Sequence, residues 1–196
     1  WHTDEAGAVW DAKRGLIWKV AGTEYSTMVK DQCEASGGSV KAKVITFNPA
    51  TGKWKVPEGF DQTRFGFVTN AVLDPDKDEI IQIIDEAAKH LNLQTGQWTS
   101  YWLPRGPLRF NARTTRLGRK VWWCNRAQVL EAYDLDTHKL TSYSVAPWPV
   151  PPEGGWEMQM VFPAGDKLLV IRPTSAPLTA RHAALFDPAT ATWTKI

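Results

Sequence analysis

Phe47-Asn-Pro-Ala-Thr-Gly-Lys-Trp54 is one of four versions of a single eight-residue phrase in this chain. The others are Leu91-Asn-Leu-Gln-Thr-Gly-Gln-Trp98, Tyr133-Asp-Leu-Asp-Thr-His-Lys-Leu140 and Phe186-Asp-Pro-Ala-Thr-Ala-Thr-Trp193. Each opens on a large apolar residue, continues with Asn or Asp, carries Thr in fifth place and closes on Trp or Leu. The closing residues fall at 54, 98, 140 and 193, so the copies are spaced by 44, 42 and 53 residues. Self-similarity at such a period marks a chain built by stacking one supersecondary unit.

Upstream of each phrase lies an apolar run, a polar turn and a second apolar run. The second copy reads Asn70-Ala-Val-Leu73, then Asp74-Pro-Asp-Lys-Asp78, then Glu79-Ile-Ile-Gln-Ile-Ile84. The first has Ala6 to Trp10, Asp11 to Gly15 and Leu16 to Val20; the third Thr114 to Leu117, Gly118 to Lys120 and Val121 to Trp123; the fourth Met158 to Phe162, Pro163 to Lys167 and Leu168 to Ile171. Strand, tight turn and strand is the expected reading. The phrase adds a third strand ending at its first residue, a turn, and a fourth strand starting at its Trp or Leu. Each repeat is thus an antiparallel meander A-B-C-D, the unit of a β-propeller blade. Glu79 to Ile84 and Leu168 to Ile171 are apolar almost throughout, as expected of strands covered on both faces. Asp85 to His90 is too short for an independent helix and is read as a connector or the start of a strand C.

The fold class is therefore all-β, a β-propeller of four blades with four antiparallel strands each. Residues 1–196 are read as one propeller domain or propeller section with blades near 1–60, 61–104, 105–152 and 153–196. Hydrophobic residues make up 43% and charged residues 22% of the chain, enough apolar surface for a folded core. The 23 basic residues barely exceed the 21 acidic ones and form no dense cluster, which argues against nucleic acid as a partner. No apolar run reaches the roughly 20 residues of a membrane helix, so membrane insertion is not expected. Cys33 and Cys124 lack CxxC spacing, and a bridge between them would need the long segment holding Cys33 to reach from the first repeat to the third. The chain opens on Trp1, which tilts an otherwise open localisation toward an extracellular or secreted setting.

The Tyr or Phe, Asp or Asn, turn and Trp of the phrase resemble the kelch repeat family, Phe186-Asp-Pro-Ala-Thr-Ala-Thr-Trp193 most of all. The resemblance implies a C to D hairpin whose indole wedges between adjacent blades. Four kelch-like blades close as a ring alone, form half of a larger ring with another chain, or belong to a longer propeller.

In such a meander the A to B and C to D turns lie on one face of the disc, and the B to C and D to A connections on the other. The first set is short throughout. The second is long: 22–43, 56–64, 103–109, 145–156 and 172–182. Elaborated loops gathered on one face are where binding is expected. They carry Tyr25, Phe60 and Arg64, and the candidate binding residues Arg105, Arg109, Trp148, Trp156, Arg172 and Arg181, with the further candidate Trp102 just before one of them, types enriched where interfaces concentrate their energy. Trp10, Trp18, Trp54, Trp98, Trp122, Trp123 and Trp193 are assigned to packing, and Asp74 to Asp78 to a solvated hairpin turn in preference to a calcium loop.

No catalytic residue, metal site or cofactor is assigned: His2, His90, His138 and His182 are scattered, and no nucleophile elbow, zinc-protease or phosphate-loop motif is present. The copper centre of kelch-containing galactose oxidases would need two Tyr, one cross-linked to Cys, and two His; Tyr25, Tyr101, Tyr133, Tyr143 and Cys124 fall in no such motif. The expected function is non-catalytic recognition of a protein partner, or self-association as an assembly subunit, through the long-loop face. The alternative is a secreted carbohydrate-active or glycan-binding propeller using the same face.

Overall fold

The computed structural model describes residues 7–20, 44–62, 70–84, 87–103, 113–125, 129–145, 147, 160–172 and 182–196. Among these residues the chain is all-β, with no helix long and apolar enough to cross a membrane. The first sheet comprises β1 (Gly7–Asp11), β2 (Leu16–Val20), β3 (Val44–Asn48) and β4 (Lys53–Lys55). The second holds β5 (Val72–Asp74), β6 (Glu79–Ile84), β7 (Ala87–Asn92) and β8 (Trp98–Trp102). The third holds β9 (Thr115–Leu117), β10 (Lys120–Cys124), β11 (Val129–Asp134) and β12 (Leu140–Val145). The fourth holds β13 (Met160–Ala164), β14 (Lys167–Arg172), β15 (His182–Asp187) and β16 (Thr192–Lys195). Every sheet is a four-stranded antiparallel meander in sequence order. These are four propeller blades, and β7 confirms that the segment before His90 leads into a strand C.

The repeated phrase is a turn nucleated by its second side chain. Asn48 Oδ1 accepts the backbone N–H groups of Ala50 and Thr51, and Asn92 Oδ1 those of Gln94 and Thr95. Asp134 Oδ1 does the same with Asp136 and Thr137, and Asp187 Oδ1 with Ala189 and Thr190. A short side chain that bonds the backbone two and three residues on is the physical reason for Asn or Asp at this place. The sixth residue of each phrase has a left-handed backbone: Gly52, Gly96, His138 and Ala191, with φ of 68°, 71°, 57° and 55°. Glycine adopts this conformation without steric cost, and His138 and Ala191 do not.

The register aligns one residue of each strand into a row across the blade. In blade 1 the row is Trp10, Ile17, Phe47 and Trp54; in blade 2 it is Leu73, Ile80, Leu91 and Trp98. In blade 4 it is Pro163, Leu168, Phe186 and Trp193. We call the face bearing this row the leading face, and the opposite one the trailing face.

The chain divides into two compact units, Trp1–Trp102 and Leu103–Ile196. In the first, Val9, Trp18, Val20 and Val44 from blade 1 pack against Ile80, Leu91 and Leu93 from blade 2, with Phe60, Leu73 and Trp98 at the margin. The trailing face of blade 1 thus covers the leading face of blade 2. Gly7 permits the close approach of β1, since a Cβ there would lie 2.5 Å from the Ala71 Cβ. In the second unit Trp122, Cys124, Leu130 and Ala132 of blade 3 pack on Val161, Leu168, Val170, Ala184 and Phe186 of blade 4. Again a trailing face covers a leading one.

Three sequence expectations are corrected. Trp10 is 54% exposed, because it points from the leading face of blade 1, while β1 buries Val9 and Asp11 on the other side. Strand β14, with Leu168 to Ile171, is not covered equally on both faces: burial alternates along it, Leu168 and Val170 inward and Leu169 and Ile171 half-exposed. The turn from Asp74 to Asp78 is a hairpin, but its flanking carboxylates are buried rather than solvated, because Asp78 is tied to the neighbouring blade.

Candidate functional site

The short turns on one face are stiffened by polar clamps. In the first unit Asp11 Oδ1 accepts from the backbone N–H groups of Lys13 and Arg14, and Asp11 Oδ2 accepts from Arg14 Nη1 at 2.8 Å and Trp18 Nε1 at 3.1 Å. The same guanidinium forks onto Asp78 of blade 2, with Nη1 at 2.7 Å from Oδ1 and Nη2 against Oδ2. Lys13 and Gln94 add longer bonds to the Asp78 carboxylate, each at 3.4 Å. The Arg14 hydrogen bond holds the Asp78 carboxyl at about 2, against the usual 3.8. Burial pushes Asp11 upward, but its bonds from Arg14 and Trp18 outweigh that and leave it below the usual range. A bidentate pair with each carboxylate further bonded is a rigid inter-blade tie, and it leaves no group poised for chemistry.

The opposite ends of the strands carry the B to C and D to A connections. Of the candidate residues there, Arg105, Arg109, Trp148, Trp156 and Arg181 lie outside the described residues, as do Tyr25 and Arg64. Trp102 is described: it ends β8 opposite Ala87 and is 69% exposed. The adjacent Leu103 is fully buried, so the chain is anchored immediately after the exposed indole. Arg172 ends β14 opposite His182 and is buried, 5% exposed. Phe60, counted among the loop aromatics, stacks on Trp18 with ring centroids 5.4 Å apart and belongs to the core of the first unit. Its place three residues after a proline in a loop gave no sign of that contact.

Among the described residues the groups capable of catalysis are dispersed. His90 is buried, with Nδ1 2.9 Å from Glu79 Oε2 and its ring edge-on to Tyr101. His138 lies in a C to D turn with Nδ1 2.7 Å from the Tyr133 hydroxyl. Tyr143 packs between Trp122 and Phe186. Cys124 is a free, buried thiol, and burial together with the Glu131 carboxylate pushes its pKa far up, so it stays protonated and unreactive. Glu131 itself accepts bonds from Trp123 Nε1 and Asn125 Nδ2. No group of three or more metal-ligating side chains occurs among the described residues.

No protein-family model matches this chain, and no curated protein sequence does. Solved structures are similar to it. One titled "Structure of U3-55K" superposes with a TM-score of 0.60 at 6% identity, covering 100% of this chain and 53% of that one. The RRP9 WD40 repeats give 0.59 at 6% identity, over 100% and 52%. YjhT gives 0.63 at 14% identity, over 98% and 65%. The chain spans between half and two-thirds of the length of these proteins, and what it has in common with them is the β-propeller fold.

Proposed function

We propose that this chain is a non-catalytic recognition module that binds a protein through the face bearing its B to C and D to A connections. The observation that carries this reading is the contrast between the two ends of the blades. At one end every turn is short and closed by its own side chains, as at Asn48, Asn92, Asp134 and Asp187. At the other, the three D to A connections and the B to C connections from β2 to β3 and from β14 to β15 are long, while β6 to β7 and β10 to β11 are joined by residues 85–86 and 125–128 alone, and the strand end at Trp102 presents an indole that is 69% exposed. Large aromatic side chains on a rigid scaffold concentrate interface energy. The WD40-type likeness supports the same class of role, since propellers of that kind serve as platforms for partners.

We read the repeat itself as kelch-like, and two hydrogen bonds support that reading. Trp98 Nε1 donates to the Asp61 carbonyl in the segment preceding its blade, and Trp193 Nε1 donates to Ser144 Oγ of the blade before it. Both indoles bridge backward, the wedge role that the kelch pattern gives this tryptophan.

The test is affinity capture with quantitative mass spectrometry, followed by calorimetric titration of any purified partner. Wild type, a Trp102→Ala, Trp148→Ala, Trp156→Ala variant and a turn-face Lys53→Glu, Lys139→Glu variant are compared. The expected result is a partner bound by wild type and the turn-face variant, with affinity at least tenfold weaker for the tryptophan variant. Loss through the turn-face substitutions alone would overturn the choice of face, and binding on a glycan array that needs the same tryptophans would replace the protein ligand with a carbohydrate.

A further inference from the structure

Within each compact unit a trailing face covers a leading face, and the same two kinds of face recur in this one chain with apolar side chains exposed on them, Ile45 at the inner end of the leading face of blade 1 being itself buried. Blade 1 presents a leading face with Trp10 at 54% exposure and Ile17, Phe47 and Trp54 half-buried beside it in one aligned row. Phe47 and Trp54 already meet as a tilted pair with ring centroids 4.9 Å apart. Blade 4 presents a trailing face with Phe162 at 38% exposure, flanked by half-exposed Leu169, Ile171, Ala183 and Leu185. Phe162, Leu169 and Leu185 stand at the register positions that Val9, Trp18 and Thr46 fill on the trailing face of blade 1. An apolar row along a whole sheet face is an interaction surface rather than scattered exposure.

A polar contact marks the same polarity. In the first unit Gln82 Nε2, on the leading face of blade 2, donates to the Val20 carbonyl at the end of strand B of blade 1, 3.1 Å away. Lys19 occupies the position of Gln82 on the leading face of blade 1, and the carbonyl corresponding to Val20 is that of Ile171 in blade 4. Burial alone lowers the Lys19 pKa, as expected for an amine set among apolar side chains. An acceptor from a covering blade would satisfy it.

We propose that a second copy of this chain covers these faces head to tail, the Phe162 face of blade 4 in one copy seating on the Trp10 face of blade 1 in the other, and reciprocally. A second copy is the occupant because one chain carries both complementary faces, with the same leading-to-trailing polarity that each compact unit already uses internally. The contact is heterologous, and it makes a discrete particle only when it closes on itself. It uses strand residues of blades 1 and 4, so it stands or falls independently of a partner on the long-loop face.

Light scattering on a sizing column tests it with the 196-residue chain. The expected particle has twice the 22.0 kDa of one chain. Trp10→Glu and Phe162→Glu should each weaken association at least tenfold, with unchanged far-ultraviolet circular dichroism, because both side chains are exposed. Mixing the two variants rebuilds one contact intact, since the Phe162→Glu copy keeps its leading face and the Trp10→Glu copy its trailing face, while the other contact carries both substitutions; the mixture should therefore associate more tightly than either variant alone, and misfolded variants would not. A wild type of one chain mass at all concentrations overturns the proposal. So does a Phe162→Glu variant that pairs normally, which would mean that leading faces meet each other, or a particle that grows without limit on concentration.

Discussion

The blade seams inside the two compact units solve one packing problem by different means. Between blades 1 and 2 the apolar contact of Val9, Trp18, Val20 and Val44 with Ile80 and Leu91 is bounded by charge: Arg14 bridges Asp11 and Asp78, and the Trp18 indole N–H is itself held by Asp11. Between blades 3 and 4 the contact is aromatic, with Trp122 6.0 Å from Phe186, Tyr143 5.2 Å from each, and Trp193 4.9 Å from Phe186. The Trp122 indole N–H has no acceptor among the described residues. One seam is specified mainly by directional bonds and the other mainly by shape, with the Trp193 to Ser144 hydrogen bond as its polar contact. A seam with the same leading-to-trailing polarity can therefore be built from either chemistry, which is why the repeat tolerates so much sequence divergence.

The aromatic seam should be the costlier to hollow out. Trp122→Ala removes a side chain that is 1% exposed and should lower the stability of the second unit by about 3–5 kcal/mol, read from urea unfolding. A loss under 1 kcal/mol would show that shape is not what holds that seam.

The charged seam should answer to one carboxylate and to acid. Asp78→Ala should cost about 2–3 kcal/mol at neutral pH, since Arg14 loses its fork and Asp11 is left to hold it alone. The folded carboxyl titrates at about 2 and the unfolded one near 3.8, so its contribution is complete above about pH 4 and disappears as pH falls toward 2. The gap between wild type and Asp78→Ala should therefore close over that window, as followed by thermal unfolding. A gap independent of pH would leave the fork without an ionic role.

Gly96→Ala should cost about 2 kcal/mol and Gly52→Ala about 1 kcal/mol, though both glycines hold the same place in the phrase. The added Cβ at Gly96 would sit 2.7 Å from the Phe60 Cα, pressing on the ring stacked against Trp18, whereas nothing lies within 4 Å at Gly52. Equal losses would detach that turn from the charged seam. Exchanging the indole for a phenyl ring removes the N–H and a similar volume at either seam: Trp18→Phe should exceed Trp122→Phe by about 1–2 kcal/mol, because only the former leaves a carboxylate oxygen short of a donor. The smallest effect has the opposite sign. Ala191→Gly should stabilise the second unit by up to about 1 kcal/mol in calorimetry, relieving a left-handed alanine whose side chain is exposed.

The blade repeat was legible because its turn chemistry is local. Asn or Asp at the second place of the phrase bonds backbone groups two and three residues away, and such a signal survives in sequence whatever surrounds it. Trp10 was misassigned because alternation along β1 tells that its side chain faces away from Val9, but not whether another sheet covers that side. The Arg14 to Asp78 fork spans 64 positions, and no spacing rule connects residues across a blade seam. Asp74 and Asp78 looked like ordinary turn residues for the same reason. For the candidate site, the topology placed Trp102 at the correct end of its strand, while the burial of Arg172 depends on tertiary packing that its sequence neighbours do not encode.

Cys124 has a practical consequence of its position. Its thiol is enclosed by the same cluster that joins blades 3 and 4, and its raised pKa keeps it in the unreactive form while that cluster is shut. In a Cys33→Ser background the rate at which a thiol reagent labels the protein would count openings of that seam directly. The chain thus carries an internal chemical reporter for the seam inside its second unit, positioned to reveal how often that junction comes apart without any engineered cysteine.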